Sequence, residues 1–172
     1  NTNTLDKSEM FTESVVSTTA QDFYCNVCQD SGTGSVQFSI AYADKRGYGA
    51  KPYNSASNFS PSRTTYGQYR TFALGDEDAD FKFDDTTVSQ NFWVLSIDRA
   101  RYKEKLKPGS LQLILSGSVA TKTFVDAGIL ANQKVVTYVD SGRIYNIYDS
   151  SSLASNPSSC GYFLPDIGTI LL

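Results

Sequence analysis

Apolar and polar positions alternate in twos along much of this chain, the period of a strand with one buried face. Val36, Phe38 and Ile40 alternate with Gln37 and Ser39 and run on to Tyr42. Leu111, Leu113 and Leu115 alternate with Gln112 and Ile114. Residues 23–27, 122–125, 135–139, 162–164 and 169–172 are shorter strand-like runs. Phe81 and Phe83, flanking Lys82, predict another short strand. Residues 92–97 are almost continuously apolar, which predicts a strand covered on both faces. Ser141-Gly142 marks a hairpin turn whose return strand covers residues 143–148.

Residues 98–107 carry the one clear helix pattern. Asp98 is placed to cap the free N–H groups of a first turn, and Ala100 to Leu106 are mostly helix formers. Pro108-Gly109 then stops it. Residues 66–72 fall between helix and strand periods and are read as a turn or irregular segment leading into a strand. The expected fold class is therefore mainly β: an antiparallel β-sandwich or barrel-like domain of about nine short strands with one short helix, at residues 98–107.

Organisation follows from the ends. Residues 1–21 are polar with a weak apolar pattern and read as an extended N-terminal arm. Residues 22–172 read as a single mainly β domain. The apolar run Ile170, Leu171, Leu172 predicts either a segment of a longer chain or a last strand that inserts into a neighbour. A connection of nearly 20 residues, 44–62, exceeds ordinary loop lengths and carries Tyr48, Tyr53 and Phe59.

Composition narrows the chemistry. The 172 residues include 11 Tyr and 10 Phe, which favours sheets. A net charge of −3 gives no bulk attraction to nucleic acid or anionic membrane, and no apolar run reaches a membrane span. There is no histidine, which removes the commonest general base and the commonest transition-metal ligand. Cys25-Asn26-Val27-Cys28 has the spacing of a metal or redox pair. With only Cys160 remaining, small buried or half-buried thiols are the preferred reading over a disulfide or a shared metal site. Asp76, Asp78 and Asp80 have calcium-loop spacing, but Phe81 replaces the expected glycine and Thr87 the closing glutamate. A solvated acidic turn is the plainer reading. Arg99, Arg101, Lys103, Lys105 and Lys107 walk around a helix rather than along one stripe and read as solvated. No catalytic, cofactor-binding or metal residue is assigned.

Three stretches carry a family resemblance. They are Ser60-Pro61-Ser62-Arg63-Thr64-Thr65-Tyr66-Gly67-Gln68-Tyr69-Arg70, then Phe92-Trp93-Val94-Leu95-Ser96-Ile97-Asp98-Arg99-Ala100-Arg101-Tyr102 running on to Pro108-Gly109, then Gly142-Arg143-Ile144-Tyr145-Asn146-Ile147 with residues 161–171. Their order and spacing resemble virion structural proteins of contractile-tailed, T4-like cyanobacterial phages, over residues 36–172, the middle stretch most specifically. The resemblance implies a structural subunit of a phage virion; tail or baseplate is the inference drawn within it. Its partners would be other virion structural proteins, in multiple copies of a symmetric assembly, with no nucleic acid and no membrane insertion. The resemblance supplies no catalytic residues.

The expected contacts with neighbours fall on Tyr48, Tyr53, Phe59, Tyr66, Tyr69, Arg99, Arg101, Ile170, Leu171 and Leu172, since Tyr buries a large ring while keeping a polar tip. Filling the sheet's own core is the competing role for the tyrosines. A carbohydrate- or receptor-binding module of the virion is the second expectation. A cell-wall hydrolase is the third; it needs two carboxylates facing one cleft, and Asp78, Asp80, Asp84 and Asp85 instead crowd one turn.

Overall fold

The computed structural model describes residues 11–14, 24–29, 34–49, 60–130, 137–139, 142–155 and 157–172. Within them the alternating runs become β1 (Phe11–Ser14), β2 (Tyr24–Cys28), β3 (Val36–Asp44), β4 (Asn91–Ile97), β5 (Gln112–Ser116), β6 (Thr121–Asp126), β7 (Thr137–Val139), β8 (Gly142–Asp149), β9 (Gly161–Leu164) and β10 (Thr169–Leu171). One α-helix, α1 (Pro61–Leu74), lies between β3 and β4. Every pairing is antiparallel. The strand order is β1-β2-β3-β4-β10-β9-β8-β6-β5, with β7 on the first residues of β8. The sheet curls into a half-barrel, so the fold is mainly β with a barrel-like curvature, as the alternation predicts.

The helix is not where the pattern places it. Residues 98–107 form only a 3-10 turn at Arg99–Arg101, followed by extended backbone at Tyr102. Asp98 does cap, accepting from the Ala100 N–H at 2.8 Å. Further along, the Pro165 carbonyl takes the Leu106 N–H, so a tertiary bond displaces the helical one. The α-helix forms instead where a turn or irregular segment is expected. Ser60 caps it, Pro61 occupies the first turn, and Gly75 ends it at φ 68°. Ser62, Tyr66, Tyr69 and Ala73 follow at spacings of four, three and four, which puts them on one stripe against the sheet. The hydroxyls of Thr64, Thr65 and Thr71 donate to carbonyls four residues back, which absorbs their polarity inside the helix.

Two apolar layers cover the two faces of the sheet. On the helix side, Tyr66 and Ala73 meet Ala43, Phe92, Val94, Ile144, Leu164 and Leu171. Phe81 and Phe83 complete this layer from a turn, not from the strand their spacing suggests. On the opposite face, Leu95, Tyr145, Ile147, Phe163 and Ile170 form a second layer. The period of two thus sorts neighbours such as Phe163 and Leu164 to opposite sides. β4 is not covered on both faces throughout: Trp93 is half exposed and lies against Tyr42 at 5.0 Å.

The expected N-terminal arm contains β1, which pairs with β2; residues 1–10 and 15–21 lie outside the described residues. The apolar tail forms β10, which is paired on both sides within the chain, between β4 and β9, at the middle of the described sheet. Leu172 continues the ladder, exchanging two backbone bonds with Trp93 at 2.7 and 2.9 Å.

Candidate functional site

The segment between β4 and β5 runs as a strap over the sheet face that α1 does not cover. Its start is fixed by the Asp98 N–H, which donates to the Gln37 carbonyl at 2.9 Å. Its far end is fixed by Asp126, fully buried at the end of β6. That carboxylate accepts from the N–H groups of Gly109 (2.6 Å), Leu111 (3.0 Å) and Gly128 (3.1 Å). Gly109 has φ +81°, and a Cβ there would stand 2.8 Å from the Gly128 carbonyl oxygen, so this crossing requires glycine. Leu106 and Leu111 drop from the strap onto the second apolar layer.

Between strap and sheet lies a groove of about 740 Å³. Leu95, Phe163 and Ile170 are buried at its floor; Phe38, Leu111 and Leu113 are half-buried along it. Every ionisable acid or base that lines it and carries charge at neutral pH is a cation: Arg101, Lys105 and Lys107, all exposed.

Beside the groove, the β5–β6 hairpin leaves β5 at one end of the sheet order, paired on one side only among the described residues. Ile114 is 57% exposed, Leu115 43% and Val119 97%. An edge strand usually carries charges or proline that discourage further pairing. Gln112-Leu113-Ile114-Leu115-Ser116 carries neither.

The expected contact residues divide three ways. Tyr48, Arg99 and Arg101 are exposed, and the Arg99 guanidinium stacks on the Tyr102 ring at 4.6 Å. Tyr66, Ile170 and Leu171 are buried in the chain's own core, with Tyr69 and Leu172 half-buried against it, so the competing core role is the one they fill here. Tyr53 and Phe59 lie outside the described residues. Those of them that are described do not come together into one surface, since five are taken up by the core. Sequence reasoning missed Ile114, Leu115 and Val119 as exposed positions and Asp126 as the anchor of the strap. The lack of charge in residues 112–116 was the available signal for the first group; a single aspartate gives none.

The acidic turn binds its own neighbours. Asp80 pairs with Lys45 at 2.5 Å and Arg70 at 3.8 Å, and these contacts hold its carboxyl below the usual range. The Asp84 carboxylate accepts from the N–H groups of Thr87 and Thr86, which lowers its pKa to about 2. Among the described residues no group of three or more His, Cys, Asp or Glu is placed to hold a metal ion. Cys28 is buried and Cys25 half-buried on β2; Cys160 is half-buried, donates to the Ile147 carbonyl, and its thiol pKa is pushed up by burial. No described helix is long and apolar enough to cross a membrane.

Arg143, at the start of β8, clamps Asp166 in the turn between β9 and β10. Nε donates at 3.0 Å, the terminal nitrogen at 2.6 Å and the backbone N–H at 2.8 Å. The guanidinium holds the Asp166 carboxyl below the usual carboxylate range. A carboxyl lowered on folding stabilises the fold above its unfolded pKa, near 4, and loses that contribution as pH falls through its folded value. The melting temperature of Asp166→Asn should therefore lie below that of the parent at pH 7. The gap should close progressively below about pH 4; a gap independent of pH would rule out the ion pair as its source.

No protein-family model, curated protein or solved structure matches the chain.

Proposed function

We propose that this chain is a non-enzymatic structural subunit of a phage virion, of tail or baseplate type, acting through contacts between subunits. The observation that carries the assembly part is the open β5 edge. It offers unpaired backbone groups together with exposed Ile114 and Leu115, the two requirements for adding a strand from another chain. Its sequence is nearly the same in both directions. Two copies paired antiparallel about Ile114 would set Leu113 opposite Leu115 in both halves, as a two-fold contact requires. The virion part is supported by the resemblance noted above. Its three stretches, far apart in sequence, supply α1, β4 and the neighbouring strands β8, β9 and β10.

Size-exclusion chromatography with light scattering tests the edge. The parent chain should associate at about 100 μM, a concentration at which weak interfaces are populated. The double variant Ile114→Lys, Leu115→Lys should be monomeric with an unchanged melting temperature, since both positions are exposed. A monomeric parent, or a variant that associates equally, would overturn the assembly reading.

A further inference from the structure

The groove has properties that strand pairing does not use. Its volume of about 740 Å³ falls within the range of roughly 300–1,000 Å³ in which proteins enclose small ligands. Its floor is apolar, and the charged side chains that line it are all of one sign. That segregation stands out on a chain of net charge −3. Among the described residues, Arg101, Lys105 and Lys107 make no salt bridge within 4 Å. Lys105 is close enough to lower the pKa of Asp166, but Arg143 already holds that carboxylate. Three cations therefore stand beside an apolar trough without a committed counter-ion among the described residues.

The walls are also fixed in place. The strap is tied to Gln37 at one end and to Asp126 at the other, and the floor belongs to strands in the middle of the sheet. A site held this way loses little entropy when a ligand enters.

We infer that the groove binds a small anionic amphiphile, a carboxylate or similar acid on an apolar body. The body would lie along Leu95, Phe163 and Ile170, and the head would meet Arg101, Lys105 and Lys107. An apolar body alone would leave the cations unused. A simple anion alone would leave the trough open to water. This inference does not require β5 to pair with another strand, although Gln112 and Leu113 of β5 line the groove.

Isothermal titration of the full chain with decanoate, below its micelle concentration, tests it. Saturable binding at one site is expected. Decan-1-ol and decyltrimethylammonium should bind at least about tenfold more weakly, because neither brings a negative head. The triple variant Arg101→Gln, Lys105→Gln, Lys107→Gln should lose about tenfold for decanoate and nothing for decan-1-ol. These side chains are exposed, so the variant should keep the parent's melting temperature. Non-saturable uptake, equal affinity for acid and alcohol, or an unaffected triple variant would overturn the inference. So would sedimentation with phosphatidylglycerol vesicles without binding of free decanoate, which would assign the cations to a membrane surface. A chain that is monomeric yet binds decanoate would sink only the assembly reading.

Discussion

Replacing Asp126 with alanine should lower the unfolding free energy by about 3–5 kcal/mol, and the melting temperature by about 10 °C. One fully buried carboxylate accepts three backbone N–H groups, from Gly109, Leu111 and Gly128. Hydrogen bonds to a charged group contribute about 1.5–3 kcal/mol each, and donors orphaned inside the protein add a desolvation cost. Water entering the space left by the side chain would recover part of this, hence the lower end of the range. Asp126→Asn should fall between the two, since its amide keeps one oxygen and introduces a donor where donors already converge. Guanidinium unfolding of the three proteins gives the comparison. A loss below about 1 kcal/mol for the alanine variant would show that the strap is held by its leucines and not by this carboxylate.

Phe81→Ala should cost a comparable amount, about 3–5 kcal/mol, for a different reason. Phe81 is fully buried but belongs to no strand or helix, and among the backbone bonds of its turn its carbonyl accepts from Ser89 at 2.8 Å. Its contribution is packing. The ring meets Phe92 edge-on at 4.7 Å and Tyr66 edge-on at 5.4 Å, and lies 5.5 Å from Phe83. Truncation removes the buried area and leaves a cavity under α1 that close-packed aromatics fill poorly. Phe81→Leu keeps most of the volume and should cost about 1 kcal/mol. Denaturant midpoints separate the two. Equal losses would mean that volume does not set the energy at this site.

The sheet was legible in the sequence because alternation is a local signal read directly from residues two apart. Val36–Asp44 follows it closely, and Gln112–Ser116 and Thr169–Leu171 are strand-sized apolar runs. The helix was not legible, because two local tendencies misled. Ala100, Lys103, Glu104 and Leu106 favour helix, yet Pro165 and Asp126 draw the backbone of that region into long-range bonds. Thr64, Thr65 and Gly67 disfavour helix, yet Ser60, Pro61 and Gly75 supply both ends, and Tyr66 supplies the burial. Capping residues did not decide between the two, because Asp98 and Pro108-Gly109 bracket the non-helical segment as well. The tyrosines posed a problem that pattern cannot solve. Tyr48 and Tyr66 have the same chemistry, and only the packing of α1 decides that one is exposed and the other buried. The groove was invisible for the same reason: its floor comes from β3, β4, β9 and β10, and its cations from a segment expected to be helical.

The place of β10 bears on how the molecule assembles itself. In the hydrogen-bond ladder, β1 to β4 form one block and β5, β6, β8 and β9 another, and β10 is the strand that bridges them. It follows every one of its neighbours in chain order. During synthesis, both blocks emerge from the ribosome with an unpaired edge, on β4 and on β9, and must wait for the same three residues to close the gap. Such late, long-range closure slows folding and prolongs the exposure of sticky edges. Nascent chains stalled just short of residue 169 would be the species most in need of chaperone protection.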